Sequence, residues 1–270
     1  DASKHAAALV VMGSLMARHR RLGVCSGIAE RDGDVPSVTE VRVSRLTTFI
    51  VSLGLLLGLY AHVPVQRYTT SGLDPRLNHI AVIGDSYTTG TNEGGLGPRA
   101  WPTLAWRTLA GRGLQVTADV VAEGGAGYVA RGNLGGIFAD LTSRAVQPDD
   151  SLVVFFGSRN DKDSDPVAIA SMCRDALAQA QRTAPSARLL VIGPPWPTAD
   201  VPPNVLRIRD ILKAAAANVG AAFFDPIAAG WFVGRPDLIG VDGVHPTDAG
   251  HAYMADRIAP LIGDELPRWI

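Results

Sequence analysis

Residues 79–90 read "HIAVIGDSYTTG". An apolar run from His79 to Ile83 stops at Gly84-Asp85-Ser86, and Tyr87, two threonines and Gly90 follow. A strand that ends on an aspartate and a serine, with glycines on both sides, has two explanations. It is an ordinary strand-to-helix turn, or it seats a hydroxyl that reacts. The choice depends on what else reaches the same end of the sheet.

From this stretch onward the chain is regular. Apolar runs of strand length lie at 79–83, 116–122, 151–157, 188–193 and 221–225. Helix-like segments lie near 100–112, 136–146, 166–184, 203–219 and 247–262. Strands alternating with helices predict a five-stranded parallel sheet covered on both faces, and continuous apolar runs suit strands buried on both sides. In such sheets ligands bind beyond the carboxyl ends of the strands. Unusual residues gather there. The second run leads into Glu123-Gly124-Gly125-Ala126-Gly127-Tyr128, and the third ends in Gly157-Ser158-Arg159-Asn160-Asp161. The fourth ends in Gly193-Pro194-Pro195-Trp196, and Asp242-Gly243-Val244-His245-Pro246 follows the fifth.

A serine hydroxyl is a poor nucleophile without a base. Of the six histidines, His5, His19 and His62 lie in the N-terminal tail or an apolar segment, and His79 sits at the wrong end of its strand. His251 falls in a helix-like run, where a surface position is expected. His245 alone follows a late strand in a loop bounded by glycine and proline. Asp242, three residues earlier, is close enough to fix its tautomer and stabilise the imidazolium. An acyl-transfer site also needs donors for an oxyanion. The Ser86 backbone N–H, a glycine N–H of the 124–127 loop and the Asn160 amide are the candidates.

Together "GDSYTTG", the glycine loop, "GSRND" and "DGVHP" resemble the four sequence blocks of the SGNH hydrolases, the GDSL esterases and lipases. The resemblance covers residues 79–262 and looks closest to secreted bacterial members. It implies a three-layer α/β/α flavodoxin-like fold. It also implies Ser86 as nucleophile, Asp242 and His245 completing a triad, and an oxyanion hole of Ser86, Gly125 and Asn160. The block "EGGAGY" leaves open whether Gly124 or Gly125 donates. Tyr87 departs from the usual aliphatic residue after the serine.

Each block has a plain structural alternative. Ser86 could cap a helix, Asn160 and Asp161 could open a turn, and Asp242 with His245 could be a surface pair. Four blocks in order, each at a strand end, make the joint coincidence improbable. Asp161, Asp163 and Asp165 lack the rest of a calcium-loop pattern and read as a solvated loop. His245 and His251 have no zinc-ligand spacing, and no "GxSxG" elbow occurs. No metal or organic cofactor is expected.

Composition bounds the rest. The chain has 270 residues, 47% of them hydrophobic, which suits a globular domain with a sizeable core. A formal charge of −1 gives no reason to expect a nucleic-acid partner. Two cysteines exclude a disulfide framework. Residues 1–45 hold seven Lys/Arg against five Asp/Glu and read as a tail foreign to the rest. Residues 46–65, "LTTFIVSLGLLLGLYAHVPV", carry no charge and follow Arg42 and Arg45. They read as a signal peptide or membrane anchor, the only expected membrane contact, and make the product exported or envelope-associated. Residues 66–78 read as a linker, and 79–270 as the hydrolase domain.

The expected enzyme is a monomeric serine esterase or lipase acting on small-molecule, lipid or glycan esters. Tyr128, Arg159, Trp196 and Trp231 are its candidate substrate-binding residues. Two other readings compete: an acyltransferase with the same triad, and a non-catalytic envelope-binding module.

Overall fold

The computed structural model describes residues 66–69 and 77–267; the tail, the 46–65 segment and its membrane role lie outside the described residues. Six strands form one sheet: β1 (Gln66–Thr69), β2 (Asn78–Gly84), β3 (Val116–Ala122), β4 (Leu152–Phe156), β5 (Arg188–Ile192) and β6 (Ala222–Phe224). Their order is β1-β3-β2-β4-β5-β6. The five from β2 to β6 are parallel, at the positions the apolar runs predict. β1 is the correction: it pairs antiparallel with β3, from Gln66 opposite Val120 to Thr69 opposite Thr117. It falls within the stretch read as linker. Its sequence, QRYT, has no apolar run to announce a strand, and its pairing comes from the open edge of β3.

Among the described residues six helices accompany the strands: α1 (Ser86–Thr89), α2 (Trp101–Gly111), α3 (Phe138–Ala145), α4 (Pro166–Thr183), α5 (Pro203–Asn218) and α6 (Asp248–Glu265). Successive β2 residues point to opposite faces of the sheet, as strand geometry requires. Ile80 and Val82 join Trp101 and Leu109 of α2 and Met254 and Ile258 of α6 in one core layer. Ala81 and Ile83 join Leu141 of α3, Cys173 and Leu177 of α4, and Ile208 and Leu212 of α5 in the other. The buried positions of α4 (Ile169, Cys173, Ala176, Leu177 and Ala180) recur at helical spacing. Asp165 caps its first turn, accepting from the Ala168 N–H at 3.1 Å, with Pro166 in the first helical position. Among the described residues no helix is long and apolar enough to cross a membrane.

The strand order fixes where a site can form. From β2 the chain moves to β3 on one side, then returns past β2 to β4 on the other. The loops after β2, β3 and β4 therefore diverge around a crevice at the carboxyl end of β2, the topological switch point where such sheets bind ligands.

Candidate active site

Ser86 stands at that point. The backbone turns directly from β2 into the single helical turn α1, and the N-cap is Asp85, whose carboxylate accepts from the Tyr87 N–H at 2.9 Å. Capping is thus done by the aspartate, and Ser86 in the first helical position keeps its hydroxyl free of that duty. Asp85 is 1% exposed. Burial pushes its carboxyl up to about 7, against the Tyr87 N–H bond and the charge of Arg159, which both favour the ionised form.

The Ser86 Oγ lies 3.0 Å from His245 Nε2, and His245 Nδ1 lies 2.6 Å from Asp242 Oδ2. The other Asp242 oxygen accepts the backbone N–H groups of Val244 and His245 at 2.8 and 2.9 Å. Partial burial works to raise the Asp242 carboxyl. The hydrogen bonds from the His245 ring and the two backbone N–H groups outweigh it and hold the group below the usual carboxylate range. Asp242 therefore stays ionised and acts only as an acceptor. That selects the His245 tautomer with the proton on Nδ1, which leaves Nε2 as an acceptor toward the serine.

The crevice beside this line has a volume near 540 Å³, and Ser86, Gly124, Gly125, Asn160 and His245 all reach it. Gly125 has a left-handed backbone with φ of 81°, a conformation that disfavours any residue with a Cβ. The Asn160 amide nitrogen donates to the Ala126 carbonyl at 2.8 Å, and at the longer distance of 3.4 Å to Asp85. The first bond fixes the amide plane. The second proton, on the weaker contact, is the one free to serve a ligand oxygen.

Two buried carboxylates shape the glycine loop. Asp161 accepts the N–H groups of Tyr128, Val129 and Ala130 at 2.8–2.9 Å and is fully buried. A Cβ on Gly127 would stand 2.4 Å from its oxygen. Glu123 accepts the N–H groups of Leu134 and Gly136. The solvated loop expected at Asp161 is therefore corrected: its charge is spent on backbone donors that have no other partner.

Of the four candidate substrate-binding residues, Arg159 and Trp196 are partly exposed and stack on each other without lining the crevice, and the other two are buried. The Arg159 guanidinium lies over the Trp196 ring, 4.6 Å from its centroid. Tyr128 is 1% exposed and packs on Phe138 at 4.8 Å between centroids, inside the core layer under α3 and α4. Trp231 is 2% exposed and packs against Phe224 at 5.4 Å and Phe156 at 6.4 Å. Both sit where burying a large apolar ring outweighs exposing it. Thr91, Asn92 and Asn133, which no sequence motif singles out, also line the crevice. The polar run after the serine is the only trace of the first two in the sequence, and Asn133 lies in the loop that continues the glycine block. His251, expected on a surface, is buried instead.

A family model described as the GDSL-like Lipase/Acylhydrolase family matches residues 82–253. The chain is 58% identical over 229 residues to the GDSL lipase Rv0518 of Mycobacterium tuberculosis, covering 83% of this chain and 99% of that relative. Its fold is similar to the lipase/acylhydrolase of Enterococcus faecalis, with a TM-score of 0.55 and 18% identity over 72% of this chain and 99% of that one. It is similar also to TesA, with a TM-score of 0.52 and 22% identity over 70% and 100% of the two chains. A family two carbohydrate esterase from Clostridium thermocellum matches with a TM-score of 0.56 and 18% identity, over 73% of this chain and 66% of that one.

Proposed function

Since the chain belongs to the GDSL-like lipase/acylhydrolase family and is a carboxylic ester hydrolase of that type, we propose that Ser86 is its nucleophile and works through an acyl-enzyme. The observation that carries this is the hydrogen-bonded line Ser86–His245–Asp242, at 3.0 and 2.6 Å, ending in a crevice. His245 Nε2 takes the Ser86 proton as Oγ attacks the ester carbonyl. Asp242 holds the ring and stabilises the imidazolium that forms. The oxyanion is held by the N–H groups of Ser86 and Gly125 and by the Asn160 amide. His245 then protonates the departing alcohol, and water, activated by the same ring, releases the acid. Arg159 on Trp196 is a polar, aromatic contact for the alcohol or acyl part.

Export belongs to the same proposal. It is supported by the uncharged 46–65 stretch behind Arg42 and Arg45. A reporter fused after the domain, active only outside the cytoplasm, is the expected result; cytosolic activity would reject it. For the chemistry, p-nitrophenyl esters of graded chain length test the enzyme and Ser86→Ala side by side. The variant should fold normally and lose turnover by on the order of 10⁴–10⁶-fold. Retention of a tenth of wild-type turnover would refute the assignment.

A further inference from the structure

His245 and Asp242 sit on a loop that is closed upon itself. The Gly240 N–H donates to the His245 carbonyl at 2.7 Å, and the Gly243 N–H donates to the Gly240 carbonyl at 3.0 Å. Asp242 takes the Val244 and His245 N–H groups. These bonds fix the imidazole relative to its own loop. They do not fix the loop relative to Ser86, which comes from the other end of the sequence. Among the described residues, three side chains outside the loop hydrogen-bond residues 240–245. Glu93 accepts the Val241 N–H at 2.8 Å, Ser86 meets the imidazole, and the Tyr87 hydroxyl donates to the Val244 carbonyl at 2.5 Å.

Tyr87 is the neighbour of the nucleophile on the same helical turn, and Val244 is the neighbour of the base. Its ring is 1% exposed. It lies 6.2 Å from the His245 ring and 6.4 Å from both Phe156 and Phe232, measured between centroids. Burial raises the phenol above its ordinary range and outweighs the opposing charge of Arg159. The hydroxyl therefore keeps its proton and remains a donor. An aliphatic side chain at this place would donate nothing.

We propose that Tyr87 is a positioning residue, whose hydroxyl tethers the Val244 carbonyl and so sets the His245 imidazole in register with Ser86. The proposal rests on the assignment of Ser86 as nucleophile and His245 as base. One short turn then supplies both the reacting oxygen and the grip on its base. The tether touches no substrate atom, and it matters when the imidazole must meet the Ser86 proton in the transition state, so its loss acts on turnover rather than on substrate affinity.

The test is kinetics on p-nitrophenyl esters with Tyr87→Phe, His245→Ala and the double variant of the full chain. Tyr87→Phe keeps the ring contacts. It should lower kcat about tenfold or more, the effect of one lost buried hydrogen bond, with KM changed less than about twofold. In the His245→Ala background the same change should cost nothing further, because no imidazole is left to position. Incorporating 4-aminophenylalanine at position 87 restores a donor and should recover most of the turnover. 4-Fluorophenylalanine fills the place without donating and should not, so the contrast remains readable if Tyr87→Phe folds poorly. Wild-type kcat in Tyr87→Phe, with a lowered melting temperature alone, would overturn the tether and leave the base assignment standing. So would an undiminished loss in the His245→Ala background, or failure of the amino analogue to recover more than the fluoro one. Activity retained by His245→Ala would instead remove the base assignment on which the proposal stands.

Discussion

Asn160 has two amide protons and three acceptors competing for them: the Ala126 carbonyl, the Asp85 carboxyl, and in the reaction an oxyanion. The bond to Ala126 at 2.8 Å is well formed, whereas the contact to Asp85 at 3.4 Å is marginal. In the proposed mechanism, charge developing on the substrate oxygen wins the second proton at small cost. Asn160→Ala should lower kcat by about 10²–10³-fold and leave KM nearly unchanged, since the interaction exists only in the transition state. Steady-state kinetics decide it, and an effect confined to KM would make Asn160 a substrate anchor. At this scale the side chains that meet at the crevice were legible because each is polar and follows a strand at its carboxyl end, directly for Ser86 and Asn160 and through a long loop for Asp242 and His245. The misplaced residues share the opposite property. Tyr128 and Trp231 are amphipathic rings in loops, and nothing local tells whether such a ring faces a cleft or folds inward. Only the packing with Phe138 and Phe224 decides it.

Among the elements, the loop between β3 and α3 is the one whose shape the sequence hides. Its glycines announce tight turns, but what holds them is Asp161, contributed by the loop after β4 some 30 residues away. A carboxylate that collects three backbone donors cannot be recognised from its own neighbours. Asp161→Ala strands three N–H groups, of which the one on buried Tyr128 has least access to water. The variant should lose about 3 kcal/mol or more of folding stability. Turnover should fall as well, because Gly125 and the Ala126 carbonyl that orients Asn160 lie in the same loop. Urea denaturation and an esterase assay on the folded fraction check both parts. Unchanged stability would mean that the three bonds carry no weight. Strands and long helices, by contrast, lay close to their predicted limits, since continuous apolar runs and helical periodicity report burial directly. β1 escaped because an edge strand borrows its pairing from a neighbour.

For the whole molecule, acidity is the informative variable. His251 of α6 is fully buried, and its Nδ1 accepts the Trp101 N–H at 3.3 Å. Burial drives its imidazole down to about 4, with the Asp248 charge opposing and His245 assisting. The folded state holds His251 neutral while the unfolded chain, with an ordinary value near 6.5, takes a proton. Its contribution is therefore complete above about pH 6.5 and is lost as pH falls toward 4, amounting to ~3 kcal/mol. Asp85, raised to about 7, and Asp150, raised to about 6, act in the opposite sense, because burial in both favours the protonated form. Their share is complete in acid and lost as pH rises through the same window. The histidine is thus read by difference. His251→Asn keeps an acceptor for Trp101 without a titrating group. Relative to the wild type, it should gain stability steadily from pH 6.5 to 4 in denaturant titrations. A constant gap across that range would show that His251 does not titrate on unfolding.

The most direct measurement of the central claim is the site of covalent capture. Folded enzyme treated with a fluorophosphonate, digested and mapped by mass spectrometry should carry one adduct, on the peptide containing Ser86. His245→Ala, treated alike, should label far more slowly, because the hydroxyl has lost its base. An unmodified Ser86 peptide in folded, active protein, or an adduct on another residue, would contradict the account.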